Sequence, residues 1–139
     1  MQNTESAAPG DNGLPFFSEE VAAGFPSPAA GDIKGILDLN ELCIQHPAAT
    51  YFIRARGESM IDAGISDGDV LVVDRSLNPR HGDIIIAELE GSFTVKYYEK
   101  NGDCIRLVPA NSRFSPIIIS HAHQAAFFGV VTWVLKSLR

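Results

Sequence analysis

The chain has 139 residues, which fits one domain, and its 45% hydrophobic and 20% charged residues are an ordinary globular composition. No apolar run approaches the roughly 20 residues that span a membrane, and the N-terminus lacks a secretory signal, so we expect a cytoplasmic protein. A formal net charge of -6 disfavours direct DNA binding, which depends on clustered lysine and arginine. In that compartment Cys43 and Cys104 are expected to be reduced packing residues.

The N-terminal segment is predicted to be a mobile arm. Up to about Pro15 it is rich in small and polar residues with little periodicity. Phe16 and Phe17 are its main apolar residues, with which it could dock on its own domain or on a partner subunit. In Val21-Ala22-Ala23-Gly24, small residues flank the Ala23–Gly24 bond, so an extended chain could enter a narrow cleft there. Taken alone, this stretch favours a flexible linker, since proline follows it closely.

A single short helix is expected next. Asp38 is suited to the N-cap, and Glu41 three residues later completes a capping box. Pro47 should end the helix, because a residue before proline is pushed out of helical geometry. Its buried stripe is predicted to contain Leu39, Leu42 and Cys43.

From here to the C-terminus the pattern predicts β-strands separated by turns, giving a mainly β fold. The predicted strands are Thr50 to Arg56, Asp69 to Asp74, Asp83 to Leu89, Ser92 to Glu99, Asp103 to Val108, Pro116 to Ser120 and Ala126 to Leu135. The last of them is apolar on both faces, which predicts a central strand or a subunit interface. The chain is thus expected to comprise an arm over residues 1–23, a linker with the helix over 24–48, and a β core over 49–139.

Ser59 is a candidate nucleophile, because it should lie where the first of these strands ends and the backbone turns. A hydroxyl needs a base within hydrogen-bond reach, and lysine can serve. Lys96 lies 37 residues downstream, in a strand whose alternation sets Lys96 and Thr94 on one face. On residue types alone the pair is weak, since most such serines cap turns and most strand lysines are exposed to water.

Other arrangements of chemical groups fit less well. His121 and His123 could bind a metal from one face of a strand, but no neighbouring cysteine or carboxylate cluster completes a site, so surface positions are favoured. A Ser-His-Asp triad could combine Ser59 with His81, although His81 before Gly82 fits a turn. Four aspartates lack the spacing of a calcium loop and suit turns instead: Asp62, Asp67, Asp69 and Asp74.

Several segments occur in the same order in the LexA/UmuD family of self-cleaving proteins. They are Gly57-Glu58-Ser59-Met60, the glycine- and aspartate-rich run through Asp69, His81-Gly82-Asp83-Ile84-Ile85 and Phe93-Thr94-Val95-Lys96. The chain resembles this family from about Phe16 to Arg139, most closely its UmuD branch. Val21 to Pro28 resembles the family's self-cleavage region.

This resemblance implies a compact, mainly β peptidase domain in which Ser59 attacks the carbonyl carbon of the Ala23–Gly24 bond. Neutral Lys96 would take the serine proton, and Thr94 would orient the lysine amine. The backbone amides of Glu58 and Ser59 would hold the oxyanion. The reaction implied requires no cofactor or metal.

The resemblance also implies partners. A RecA filament on single-stranded DNA would promote self-cleavage, and the shortened homodimer would join a UmuC-like polymerase in mutagenic translesion synthesis. Only 23 residues precede Gly24, too few for the DNA-binding domain of LexA repressors. The alternative is a non-catalytic interaction module, or the isolated C-terminal half of a phage-type repressor, in which Ser59 and Lys96 only complete a polar pocket.

Overall fold

The computed structural model describes residues 12–17, 20–24, 33–120 and 125–139, and the chain divides into two units, residues 1–45 and 46–139. In the first unit, strand β1 (Leu14–Phe17) pairs antiparallel with β2 (Ile33–Leu37). Neither strand was expected from the sequence, which predicts an arm and a linker here. β1 has only four residues and contains a proline, and β2 has five and contains a glycine, so neither has a strong strand signal by itself. Each is a strand because it pairs with the other.

Helix α1 (Leu39–Cys43) begins as the sequence predicts. Asp38 is the N-cap, and its carboxylate accepts a hydrogen bond from the Asn40 amide at 2.9 Å. The helix already ends at Cys43, so Pro47 is not the residue that stops it, contrary to the prediction. Pro47 instead begins a 3₁₀ turn over Pro47–Ala49, where its fixed φ is compatible with the first position.

The predicted buried stripe of this helix is mostly wrong. Cys43 is buried, but Leu39 and Leu42 are 58% and 42% exposed, because a helix of five residues is too short to present a continuous apolar face. Both cysteines are free thiols. Cys104 is exposed, so its predicted packing role is wrong as well.

The second unit is one antiparallel sheet of seven strands in the order β3-β4-β9-β5-β6-β7-β8. Its strands are β3 (Thr50–Arg54), β4 (Val70–Asp74), β5 (Ile84–Leu89), β6 (Ser92–Asn101), β7 (Cys104–Val108), β8 (Ile117–Ile119) and β9 (Ala125–Leu135). All seven predicted strands are confirmed, with ends that differ by no more than two residues. Over the described residues the fold is mainly β with one short α-helix, as expected.

Strand β9 is central, as its two-faced apolar pattern predicts, and it pairs with β4 on one side and β5 on the other. The sheet buries apolar side chains in two clusters because β5 contributes alternate residues to each. Ile85 and Ala87 belong to the cluster with Leu107 and Val130, whereas Ile86 belongs to the other. That second cluster is built from Met60, Ile65, Leu71, Val73 and Ile86.

A β-bulge at Phe128 lets β9 bend between its two neighbours. Ile86 pairs with Gly129 and Ala87 with Phe127, which leaves Phe128 as the extra residue. Gly129 has a φ of +141°, and a Cβ built there would lie 2.6 Å from Val73 Cγ1. Only glycine therefore fits this position without local rearrangement.

In the part of the chain that the structure describes, no helix is long and apolar enough to cross a membrane. Residues 1–11 of the predicted arm lie outside the described residues, as do His121 and His123. Three of the four turn aspartates accept hydrogen bonds from nearby backbone amides. These contacts are Asp67 with Gly57, Asp69 with Ser66, and Asp74 with Ser76.

Candidate active site

Ser59 lies in the loop between β3 and a 3₁₀ turn over Ile61–Ala63, close to the predicted strand end. Gly57, with a φ of +86°, reverses the chain just before it, and the Gly57 amide donates a hydrogen bond to Asp67 Oδ1 at 2.7 Å. Met60 on the other side of Ser59 is 2% exposed and anchors the loop in the second core cluster. Ser59 therefore lies between a turn that is fixed by a hydrogen bond and a buried side chain.

Lys96 and Thr94 lie two residues apart on β6, and the structure brings both to Ser59. Lys96 Nζ is 3.1 Å from Ser59 Oγ and 2.7 Å from Thr94 Oγ1. It also donates a hydrogen bond to the Val95 carbonyl oxygen at 3.0 Å. The lysine is 9% exposed and, among the described residues, makes no ion pair with a carboxylate.

These three contacts are compatible with an uncharged amine. A neutral lysine has two N–H donors and one lone pair, and the Val95 carbonyl can only accept. With the second N–H directed to Thr94 Oγ1, the lone pair is left facing the Ser59 hydroxyl. Burial lowers the Lys96 pKa from its ordinary value, since a desolvated ammonium is disfavoured. The geometry is compatible with a serine nucleophile paired with a lysine general base.

A cleft of about 170 Å³ opens beside Ser59. Polar and apolar surface both line it, and Arg54 and Arg56 are its charged residues. The apolar lining includes Ile53, Met60, Ile65, Leu71, Ile86 and Val95. Since β3 is an edge strand of the sheet, its free side and this cleft together could take an extended peptide segment.

The other predicted site residues have the following positions. Glu58 is exposed in the same loop, and within the described part of the chain no acceptor takes the amide hydrogens of Glu58 or Ser59. Ala23 and Gly24 lie in an exposed bend of the first unit. The alternative base, His81, accepts a hydrogen bond from the Lys100 amide through Nδ1, at 3.1 Å, and makes no hydrogen bond with Ser59.

Sequence reasoning missed the loop between β7 and β8. The Asn111 side-chain amide donates to the Glu58 carbonyl at 2.9 Å, and the Asp62 amide donates to the Ala110 carbonyl at 2.8 Å. Asn111 is 53 residues from Glu58 along the chain, and a Pro-Ala-Asn-Ser run is typical of any turn. The sequence alone therefore carries no signal for this contact.

The mainly β fold and the contact between Ser59 and the buried Lys96 are consistent with a serine peptidase-type domain, and comparisons with known proteins point to the same class. The family model described as Peptidase S24-like matches residues 15–132. Protein ImpA of Salmonella typhimurium is 45% identical over 126 residues, which cover 90% of this chain and 85% of the relative. Protein MucA of Escherichia coli is 46% identical over 121 residues, covering 86% and 82%.

A LexA repressor of Aromatoleum aromaticum is 42% identical over 113 residues, which cover 81% of this chain and 55% of the repressor. The chain belongs to the LexA/UmuD family of S24-like serine peptidases, the family that its motifs predict, and is of the UmuD type. Members of this family cleave themselves.

Proposed function

We propose that the protein is a self-cleaving serine peptidase of the bacterial SOS response that cuts its own Ala23–Gly24 bond. The observation that carries the proposal is the 3.1 Å separation of Ser59 Oγ from the buried amine of Lys96. Desolvation favours the uncharged form of a buried lysine, and that form is the one a general base requires. Membership of a self-cleaving family supports the same chemistry.

The proposed reaction has two stages. Ser59 Oγ attacks the Ala23 carbonyl carbon while Lys96 Nζ takes the hydroxyl proton, and the developing oxyanion is held by the backbone amides of Glu58 and Ser59. The C–N bond then breaks, and the Lys96 ammonium gives its proton to the Gly24 amine. In the second stage Lys96 takes a proton from water as the water attacks the Ser59 ester, and it returns that proton to the departing Ser59 Oγ. The acid formed on residue 23 then ionises in solvent to a carboxylate. Thr94 keeps the amine directed at Ser59 by accepting one of its N–H bonds.

The substrate segment fits this chemistry in composition. Ala23 and Gly24 are small and lie in an exposed bend, and Val21 is 95% exposed. Small residues reduce the steric cost of laying an extended chain into a cleft of about 170 Å³. Cleavage would separate residues 1–23 from a peptidase domain of residues 24–139.

The wider role proposed follows the UmuD type. In the cytoplasm, a RecA filament on single-stranded DNA would promote the cut, and the shortened homodimer would act with a UmuC-like polymerase in translesion synthesis. The similarity to ImpA, MucA and a LexA repressor supports this placement. No cofactor enters the reaction.

The experiment is intact-mass analysis of the purified protein with and without RecA, nucleotide and single-stranded DNA. We expect the filament to accelerate formation of a fragment spanning residues 24–139. A cut well inside the β sheet, or protein that stays whole under filament stimulation, would refute the proposal.

A further inference from the structure

The Asn111 side chain joins two loops that are distant in sequence. Its Nδ2 donates to the Glu58 carbonyl at 2.9 Å, while its Oδ1 accepts from the Arg113 amide at 3.0 Å. The positions of Nδ2 and Oδ1 are thus unambiguous. Exchanging them would place Oδ1 against the Glu58 carbonyl oxygen and Nδ2 against the Arg113 N–H. The Phe114 amide also donates to the Asn111 carbonyl at 3.1 Å, which closes the turn.

Only one of these contacts leaves the Asn111 turn. The bond from the Arg113 amide is the local contact by which asparagine commonly stabilises a turn, and it needs nothing from the rest of the protein. The bond to Glu58 reaches a residue 53 positions away, in the loop of the nucleophile. Turn formation alone therefore does not account for it.

The acceptor in that bond is the carbonyl of the Glu58–Ser59 peptide. In a planar trans peptide the carbonyl and the N–H point in opposite directions, so fixing the Glu58 carbonyl also fixes the Ser59 N–H. The Ile61 amide donates to the same carbonyl at 3.2 Å, which gives the peptide a second anchor from within its own loop. Gly57 at φ +86° precedes this peptide, and glycine permits rotations that other residues resist.

We propose that Asn111 is a positioning residue of the peptidase, which orients the Glu58–Ser59 peptide so that the Ser59 amide and hydroxyl face the substrate carbonyl together. This inference rests on the proposed self-cleavage and deepens it. Asn111 does not touch the reacting atoms and acts through the peptide that it holds. Loss of its N–H donor leaves that peptide with the Ile61 anchor alone.

Two substitutions separate this role from turn formation. Asn111→Asp keeps an oxygen to accept from the Arg113 amide but, as a carboxylate, has no N–H for Glu58. Asn111→Ser keeps a hydroxyl that can stabilise the turn, adds no charge and is too short to replace the amide donor. Asn78→Asp is the matched control, since it makes the same charge change at an exposed position of another loop.

The measurement is the first-order rate of spontaneous self-cleavage of the full chain, followed by intact mass from neutral pH to about pH 10.5, with wild type and Ser59→Ala alongside. We expect both Asn111 variants to lower the plateau rate about tenfold to a hundredfold, as misplacement of reacting groups does. The midpoint of the pH profile should not move in Asn111→Ser, because Lys96 keeps its surroundings. Asn78→Asp should cleave at the wild-type rate.

Wild-type plateau rates in folded Asn111 variants would overturn the positioning role, and so would a shifted midpoint with an unchanged plateau in Asn111→Ser. If circular dichroism shows that one variant is unfolded, the other decides. If both variants are unfolded, Asn111 is required for folding, and the proposal is equally overturned. Absence of cleavage in the wild type would instead refute the proposed function, so the two failures are distinguishable.

Discussion

At the scale of single residues, the central feature is a buried lysine that has no carboxylate partner among the residues that the structure describes. Lys96 is 9% exposed, and its contacts are with two hydroxyls and a carbonyl. None of these neighbours carries a charge that would stabilise the ammonium form. Burial thus dominates and lowers the Lys96 pKa, which makes the amine a usable base at a lower pH than free lysine.

The rate of self-cleavage should rise with pH. Since the base must be uncharged, the rate is expected to climb from neutrality with a midpoint below the free-lysine value of about 10.4. The measurement is loss of intact chain across the pH range, with circular dichroism verifying that the fold persists. A histidine base would level off by about pH 7 to 8, so a plateau near neutrality would contradict the role of Lys96.

The same burial has a consequence for stability. Because the folded-state pKa of Lys96 is lowered, the unfolded chain binds more protons than the folded chain between that pKa and about 10.4. The free energy of unfolding therefore rises with pH in this window. Lys96→Met removes the cost of burying the ammonium. We expect it to increase the free energy of unfolding at neutral pH, with an advantage that shrinks as pH approaches about 10.

Urea unfolding of Ser59→Ala and of Ser59→Ala/Lys96→Met would measure this difference without interference from cleavage. An advantage of the methionine variant that is constant with pH, or that grows towards alkaline pH, would show that Lys96 titrates normally in the folded state.

Sequence reasoning reached part of the site because that part has local signals. Strand alternation places Thr94 and Lys96 on one face, and a serine at a strand end is a recognisable arrangement. The Asn111 contact has no such signal, because it depends on how the β7–β8 loop passes over the Ser59 loop. Contacts of this kind follow from the assembled sheet and cannot be predicted from the spacing of residues in the sequence.

At the scale of elements, strands with long apolar runs could be predicted and short paired ones could not. β9 has 11 residues, and all but Gly129 and Thr132 have apolar side chains, which is sufficient to indicate a central strand. β1 and β2 are strands only because each pairs with the other, so composition read along one segment describes them as arm and linker. The exposed leucines of α1 show a related limit, since capping signals locate a helix start but not its buried face.

The bulge in β9 allows a test at this scale. Gly129→Ala should lower the free energy of unfolding by about 3 kcal/mol, because it combines an unfavourable φ with a contact to Val73 Cγ1 at 2.6 Å. Gly82→Ala is the control, with a φ of +93° and nothing within 4 Å of the added Cβ, and should cost only about 1 kcal/mol. Denaturant unfolding in a Ser59→Ala background would compare them. Equal costs would show that the bulge relaxes around a methyl group.

At the scale of the whole molecule, one face of the sheet leaves large apolar side chains exposed. Phe52, Val72 and Trp133 are cross-strand neighbours on β3, β4 and β9, and Phe52 and Trp133 are 56% and 41% exposed. Leu135, further along β9, is also 41% exposed. A self-complementary twofold contact is the commonest way to bury such a patch.

We therefore expect a homodimer that survives removal of residues 1–23. Trp133→Arg should shift it towards monomer, because an unpaired charge would be buried at the contact. Phe114→Arg, a similar change at a 49% exposed loop residue, is the control and should leave the dimer intact. Sedimentation of a wild-type monomer at micromolar concentration would contradict the dimer.

The claim that Ser59 and Lys96 cut the Ala23–Gly24 bond is tested most directly by intact-mass spectra of purified protein held at about pH 10 without RecA. The wild type should convert to fragments of residues 1–23 and 24–139, whereas folded Ser59→Ala, Lys96→Ala and the double variant should stay whole to the same extent, as members of one catalytic unit do. Cleavage at that bond by a folded Ser59→Ala protein would contradict the account.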